Sequence, residues 1–338
     1  MVVLADKKEI AAFALSHRLH LALGYFDGVH RGHQALLANT AAIAAEEGGE
    51  PGVLLLEPHP QKVLQGDGGP SILTPPDEKI RLIRAYRDMH VFILPFDLTM
   101  AALSPEEFVR QYLLDLFHVR TAVCGYNYRF GHRGSGDSAT LRRLAAESGF
   151  ACSVLGQVTD HGKTVSSSEI RGLIGEGRMR EAYSRLGHGH IFSGKVVGGR
   201  KLGARIGFPT ANLELDRDLL WPAYGVYGGF VDIGQIGLCR GVINVGLRPT
   251  VNRDAGAPSF EVYLMDYHGD LYDRRLRVVL TDRLRPEAVF ADLSALQAQI
   301  GTDVREASAV LSQWEEALRK KDLPPEAIFS CFINDYPI

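Results

Sequence analysis

Leu19 to His33 (LHLALGYFDGVHRGH) constrains this chain more than any other stretch, because a short apolar run stops at a glycine and two histidines follow, three residues apart. Leu19, Leu21, Ala22 and Leu23 read as a buried strand, and Gln34 to Glu47 reads as the helix after it, which puts Gly24 to His33 at a strand-to-helix turn. Backbone N–H groups and the positive end of a helix dipole converge at such turns. Glycines at 24, 28 and 32 would let a phosphate approach closely. His30 and His33 share one face of the first helical turn and can donate hydrogen bonds to a triphosphate as charge moves onto leaving pyrophosphate. A histidine at a helix start is also an ordinary cap or surface residue, so the pair alone decides nothing.

From Leu19 to about Gln157, short apolar runs (Val53 to Leu56, Val91 to Leu94, Ala122 to Cys124, Ala151 to Leu155) alternate with amphipathic helical stretches. That order predicts an α/β domain, a parallel sheet with helices on both faces. Ligands bind such sheets at the carboxyl ends of the strands, where Gly24 to His33, Glu57 to Pro60 and Gly125 to Asp137 all fall. Ser104-Pro105-Glu106-Glu107 reads as a capped helix start, with the proline in the first turn and a capping-box glutamate before Phe108, Tyr112 and Leu113. Beyond about Arg185 the texture becomes glycine-punctuated and β-rich: His190 to Val197, Gly225 to Asp232, Gly237 to Val245, Phe260 to Met265 and Arg275 to Leu280 predict a small antiparallel barrel. Two closing helical stretches, Leu293 to Ile300 and Val304 to Lys320, would cover it through Val304, Ala307, Leu311 and Trp314. The predicted domains are 1–185 and 186–338.

A length of 338 residues with 46% hydrophobic content supplies two cores of ordinary size. Lys and Arg number 37 against 40 acidic residues, a net charge of -3, so no general basic field marks a nucleic-acid binder and phosphate recognition must be local. Cys124, Cys152, Cys239 and Cys331 lack metal or disulfide spacing and read as reduced thiols. The start has no signal-like n-region and h-region, and no run of 18 apolar residues occurs. A cytoplasmic protein without membrane or nucleic-acid partners is expected. The sequence names no protein partner and leaves transient self-association open.

GYFDGVHRGH, together with EPHP at Glu57 to Pro60, LSPEEFV at Leu103 to Val109, GYNYRFGHRGSGD at Gly125 to Asp137 and VSSSEIR at Val165 to Arg171, resembles the adenylyltransferase half of the prokaryotic bifunctional riboflavin kinase/FMN adenylyltransferase family. The resemblance implies a Rossmann-like nucleotidylyltransferase domain. Gly24, Phe26, Asp27, Gly28, His30, His33, Ser166, Ser167, Ser168 and Arg171 would bind ATP there, and Glu57, His59, Asn127 and Arg129 would bind FMN. Tyr25, Asn127, Tyr128 and Ser168 depart from the residues commoner in the family. Asn127 cannot supply the negative charge of the usual aspartate. Transfer itself needs an acceptor phosphate aligned with the α-phosphorus of ATP and stabilisation of pyrophosphate, in part by Mg²⁺.

GKVVGGRKLGARIGFPTANLEL, Gly194 to Leu215, resembles the riboflavin kinase motif of the same family. Glycines 198, 199, 203 and 207 with Arg200, Lys201 and Arg205 make a basic loop suited to covering phosphates. Thr210 and Asn212, two apart on a strand, face one side and can bind Mg²⁺ together with ATP oxygens. By the resemblance Gly199, Lys201, Gly203, Gly207, Thr210 and Asn212 hold the kinase ATP, and Arg285 and Glu287 the flavin. Asn244, Arg248, Thr250 and Phe290 also match without assigned roles. Glu261 stands within an apolar alternation where a charge on the barrel's inward face would be costly to bury. It is the candidate general base, with an ordinary solvent-facing strand glutamate as the alternative; the resemblance implies that it takes the proton of the ribityl 5′-hydroxyl as that oxygen attacks the γ-phosphate. The implied reactions are consecutive: riboflavin to FMN, then FMN to FAD with pyrophosphate released. The alternative is a riboflavin kinase whose first half is a non-catalytic flavin or nucleotide sensor.

Overall fold

The computed structural model describes residues 1–198, 203, 206–247, 258–267 and 269–330. It separates into two compact units, one of Met1–Ile72 with Lys79–Ser166, the other of Leu73–Glu78 with the chain from Ser167 onward. Each is described by itself.

In the first unit, β1 (Val3–Leu4), α1 (Lys7–Ser16), β2 (Leu19–Leu23), α2 (Arg31–Glu47), β3 (Glu50–Glu57) and α3 (Pro60–Gln65) are followed by α4 (Pro76–Tyr86) from Lys79 on, β4 (His90–Pro95), α5 (Leu98–Ala101), α6 (Pro105–Phe108) and β5 (Thr121–Gly125). A small ribbon of β6 (Arg129–Phe130) and β7 (Gly136–Asp137), then α7 (Ser138–Ser148), β8 (Ala151–Leu155), β9 (Thr159–Asp160) and β10 (Lys163–Thr164) complete it. The main sheet has the order β1-β4-β3-β2-β5-β8 with every pair parallel. The Rossmann-like α/β expectation holds. All five residues of β2 are buried, which explains why its apolar run is so dense: a central parallel strand has no wet face. Chain order runs outward from β2 to β3 and β4 on one side and to β5 and β8 on the other, so the switch point lies at the carboxyl end of β2. The Ser104 cap forms as expected, with Ser104 Oγ accepting from Glu107 N (3.1 Å) and Glu107 accepting from Ser104 N (2.8 Å). The helix it starts then widens into a π-type turn over Val109–Leu114, burying Val109, Tyr112 and Leu113.

The second unit contains α8 (Ser167–Gly175), α9 (Met179–Leu186), a barrel and α10 (Leu293–Arg319). The barrel strands are β11 (Ile191–Val197), β12 (Thr210–Leu215), β13 (Gly225–Asp232), β14 (Leu238–Leu247), β15 (Pro258–Leu264) and β16 (Arg275–Pro286). They close in the order β11-β12-β15-β14-β13-β16, antiparallel throughout, with β16 returning to β11. Phe192, Phe230, Phe260 and Val278 are fully or nearly fully buried in its core. α10 corrects the sequence expectation of two stretches: it runs unbroken through Gly301, because the tertiary contacts of a long buried stripe outweigh the propensity loss of one glycine, about 1 kcal/mol. Its buried stripe is Asp303, Ala307, Leu311, Trp314 and Leu318. Val304, expected in that stripe, is only half-buried. Trp314 donates to Asp282 (2.8 Å) and meets the edge of Tyr183 of α9 at 5.0 Å between ring centres, while Arg180 of α9 pairs with Asp282. Helix α9 is therefore part of the barrel's cover.

Candidate active sites

The turn after β2 is strained in the first unit. Phe26 (φ 52°) and Val29 (φ 41°) take left-handed conformations although both side chains are completely buried, and Gly28 lies between them at φ 87°. A β-branched residue tolerates this only where the surroundings impose it. Close approach explains two of the glycines: a Cβ on Gly24 would stand 3.2 Å from the Phe26 ring, and one on Gly32 3.1 Å from the His30 ring. His30 is the N-cap of α2, its Nδ1 accepting from His33 N at 3.3 Å. That bond fixes Nδ1 as the acceptor and leaves Nε2 as the N–H donor. The two imidazoles stack at 3.7 Å and 13°. Burial, with the charges of His30 and Lys79 beside it, holds the His33 pKa well below the usual value, so at neutral pH it is an uncharged donor. His33 Nδ1 has no hydrogen-bond partner among the described residues. The helix cap engages Nδ1 of His30.

Two groups around this turn were not legible in the sequence. Lys79 is almost completely buried and donates to Glu57 Oε1 at 2.5 Å. A buried ammonium of this kind is retained only with a paired carboxylate. The second is an apolar cavity lined by Tyr25, Leu56, Pro60, Phe96, Phe108, Tyr128 and Phe130, with Arg129 and Arg133 at its polar side. Tyr128 stacks on Phe130 at 5.6 Å and 14°, and Tyr25 meets His59 at 5.4 Å. Burial and the neighbouring Tyr25 phenol push the Tyr128 hydroxyl well above its usual pKa, so it stays protonated. Of the residues assigned to FMN, Arg129 lines this cavity; Glu57, His59 and Asn127 do not, Asn127 being exposed. His59 caps α3 by accepting from Gln61 N at 3.2 Å. Ser166 ends the first unit, whereas Ser167, Ser168 and Arg171 lie on α8 of the other unit.

In the second unit the barrel register draws the polar residues into one row. Asn212 pairs with Glu261, Glu261 with Asn244, Asn244 with Val226, and Val226 with Arg285, across β12, β15, β14, β13 and β16. Paired residues of antiparallel strands project to the same face, so separate segments of sequence form one surface. This face corrects the inward placement expected of Glu261. Phe260, Val262 and Leu264 of β15 are buried on one face, and Glu261 alternates with them, half-buried, in a cavity of about 250 Å³ closed by Leu296, Ile300 and Asp303 of α10. Its charge can therefore remain solvated. Thr210 Oγ1 donates to Glu261 at 3.4 Å. Thr210 also borders a second cavity, of about 300 Å³, with Asn212, Val196, Leu264, Tyr267 and Tyr272. Both volumes are of the order of small-ligand sites.

Arg285 lines the first of these cavities and is held there by Asp303, almost completely buried, through Nε (2.9 Å) and Nη2 (2.8 Å), with Gln299 donating to the same carboxylate at 2.9 Å. Glu287 lines the same cavity, its carboxylate placed where any side chain on Gly246 would collide with it, at 2.2 Å. Phe290 stacks under the Arg285 guanidinium at 5.5 Å. Gly203 and Gly207 of the basic loop are described: Phe208 N donates to Gly203 O at 2.8 Å, and Gly207 has φ 87°. Gly199, Arg200, Lys201, Arg205, Arg248, Thr250 and Cys331 lie outside the described residues.

A strained, glycine-rich turn at a sheet switch point in one unit and a closed barrel with two adjoining cavities in the other give the chain two separate candidate sites of the kind that two-part transferases carry. The FAD synthetase family matches residues 13–169 and the riboflavin kinase family residues 186–311. The chain is 35% identical over 291 residues to the bifunctional riboflavin kinase/FMN adenylyltransferase of Bacillus subtilis, covering 85% of this chain and 90% of that one. It is 38% identical over 285 residues to the protein of the same description in Escherichia coli, with coverage of 84% and 90%. A crystal structure of a Streptococcus pneumoniae protein described as a macrolide-efflux protein aligns with a TM-score of 0.80 and 28% identity, over 91% of this chain and 99% of that one. The chain belongs to the bifunctional riboflavin kinase/FMN adenylyltransferase family. It is an enzyme with both activities, using ATP as co-substrate, and the reading of its first half as a non-catalytic sensor is not supported. Among the described residues no helix is long and apolar enough to cross a membrane.

Proposed function

We propose that the barrel performs the kinase step with Glu261 as general base, and that the turn after β2 performs adenylyl transfer with His30 and His33 as donors to the triphosphate. The observation that carries the kinase assignment is the place of Thr210, which borders both barrel cavities and donates to Glu261. A nucleotide in the larger cavity and a flavin in the one under α10 would then meet beside one carboxylate. The ribityl 5′-oxygen attacks the γ-phosphorus, the Glu261 carboxylate takes the hydroxyl proton, and ADP leaves. Thr210 and Asn212 offer neutral oxygen donors to this junction, a set that suits Mg²⁺, which takes few protein ligands and completes its shell with phosphate oxygens and water. When bound, Mg²⁺ would neutralise charge on the phosphates. The remaining assignments rest on motif resemblance: Arg285 and Glu287 to the flavin, the glycine loop to the kinase ATP, and Ser166, Ser167, Ser168 and Arg171 to the ATP of the adenylyltransferase.

In the first reaction centre the acceptor is the FMN phosphate, whose oxygen attacks the α-phosphorus while pyrophosphate leaves. His30 Nε2–H and the uncharged His33 imidazole supply donors that do not need to lose a proton. The aromatic cavity bounded by Tyr25 and Tyr128 supplies a surface for the isoalloxazine. We assign the adenylyltransferase to 1–185 and the kinase to 186–338, and place the enzyme in the cytoplasm, where dispersed cysteines stay reduced. Glu261→Gln tests the central claim. FMN formation from riboflavin should fall by about 10²- to 10⁴-fold in turnover while FAD formation from supplied FMN persists. If Glu261→Gln weakens riboflavin binding in proportion to the lost activity and turnover at saturation is intact, the base lies elsewhere.

A further inference from the structure

Lys79 carries its charge in an unfavourable place. Its side chain is 4% exposed, it stands in the first turn of α4, where the helix dipole disfavours a cation, and among the described residues its ammonium has one partner, Glu57 Oε1 at 2.5 Å. An ammonium has three donors, so two remain open to a further acceptor. A buried ion pair adds little net stability over well-packed apolar residues, so the fold alone does not account for it. Glu57 ends β3, three residues past Leu54, which pairs with Leu23 at the end of β2; the pair therefore lies on the sheet edge from which the strained turn departs. Tyr25 of that turn meets the ring of His59, two residues beyond Glu57, at 5.4 Å. The Lys79 charge acts on the His33 imidazole, whose Nδ1 is buried without a hydrogen-bond partner among the described residues. His33 brings no charge of its own to this edge at neutral pH, and Lys79 brings one.

We propose that Lys79 is a catalytic residue of adenylyl transfer, its ammonium binding the β- and γ-phosphates of ATP and neutralising pyrophosphate as it leaves. This role rests on the reading of the turn after β2 as the triphosphate site. As an oxygen of the FMN phosphate bonds to the α-phosphorus, the bond from that phosphorus to the bridging oxygen breaks and its electron pair stays on pyrophosphate. Negative charge grows there, and an ammonium already fixed in a site of low dielectric stabilises it more in the transition state than in the ground state. No proton has to move. Glu57 is the positioning residue: one of its oxygens holds the ammonium while phosphate oxygens take the two remaining N–H groups, a role that replaces the flavin contact expected of it.

The test follows FAD formation from supplied FMN and ATP by the full chain, with inorganic pyrophosphate and adenosine, which has no phosphate, as separate inhibitors. Lys79→Met, similar in length and uncharged, should lower kcat by on the order of 10²–10³ and weaken pyrophosphate inhibition about 10-fold or more, while KM for FMN and inhibition by adenosine stay within about twofold. Because Lys79→Met leaves Glu57 without its partner, the pair is also replaced whole. Lys79→Met with Glu57→Gln should unfold on heating closer to the parent than Lys79→Met alone, as followed by circular dichroism, yet respond to pyrophosphate no better. Glu57→Gln alone should weaken pyrophosphate inhibition by less than Lys79→Met, since the ammonium survives without its aim. Unchanged pyrophosphate inhibition in Lys79→Met overturns the proposal, as does equal weakening of pyrophosphate and adenosine, or recovery of pyrophosphate inhibition together with stability in the double variant. If His30→Ala with His33→Ala leaves pyrophosphate inhibition intact, the reading of the turn as the triphosphate site fails first.

Discussion

His190 offers a perturbation whose size follows from its surroundings. It stands just before β11, 3% exposed, stacked on Phe192 at 4.6 Å and 13°, and neither ring nitrogen has a hydrogen-bond partner among the described residues. Burial, reinforced by the charge of His188, pulls its pKa down to about 3. In the unfolded chain the imidazole titrates near its ordinary 6.5. Between those values the unfolded state binds a proton that the native state refuses, so stability is undiminished above about pH 6.5 and is lost as the pH falls towards 3. At pH 4.5, two units below the ordinary value, the loss amounts to about 3 kcal/mol. His190→Phe keeps a ring against Phe192 and removes the titration. Its own packing effect is the same at every pH, so the informative quantity is the difference between mutant and parent at pH 4.5 less that at pH 7.5. Urea unfolding followed by tryptophan fluorescence measures it cleanly, because both tryptophans, Trp221 and Trp314, belong to the second unit and report on the barrel alone. A gain for the mutant of about 3 kcal/mol on acidification is expected. A gain below about 1 kcal/mol would refute the view that His190 is held neutral by burial.

His30→Ala with His33→Ala should cut FAD formation from FMN by on the order of 10²–10³ or more and leave FMN formation from riboflavin near the parent rate, as seen by chromatographic separation of the flavins over time. A fragment starting at Ser167 should phosphorylate riboflavin without making FAD, whereas one starting at residue 186 loses Tyr183 and Arg180 from Trp314 and Asp282 and should unfold about 3–5 kcal/mol more easily in urea. Inactivity of a folded fragment from Ser167 would contradict modular function. Asp303→Ala should destabilise the barrel by about 2–3 kcal/mol, less than for a fully buried pair because the Arg285 side chain is 19% exposed, and should weaken riboflavin binding if the guanidinium then leaves the cavity. Tryptophan-detected unfolding and flavin titration read the two effects separately.

The sequence made the strands legible wherever burial on both faces leaves a dense apolar run, as in Leu19–Leu23 and Ala122–Cys124, and wherever turn chemistry is local, as at Ser104. It also located the switch-point turn, because a glycine-rich break after a buried strand is itself the signal. Long-range partners were not legible. Lys79 reads as one more charge on an amphipathic helix until Glu57 is brought beside it, and Asp303 reads as the polar edge of α10 until Arg285 arrives from β16. Glu261 shows the same limit from the other side. Alternation reveals that one face of β15 differs from the other, but only α10 determines that the charged face is the one lining a cavity. The strain at Phe26, Val29 and Arg133 leaves no composition signature, since none of these residue types favours a left-handed backbone.

Closure of the barrel has a consequence for how the chain emerges from the ribosome. Ile191, at the start of β11, pairs with Val279 of β16, so the first barrel strand lacks its closing neighbour until nearly the whole chain has been made. The parallel sheet is complete at Leu155, long before that. During synthesis the first unit can therefore fold while the second still presents β11 as an open edge, the kind of surface that recruits strands from other chains. Ribosome pausing or premature termination between β11 and β16 should yield a nascent protein with a finished adenylyltransferase fold and an adhesive tail, and chaperone demand in this family should concentrate in that interval of translation.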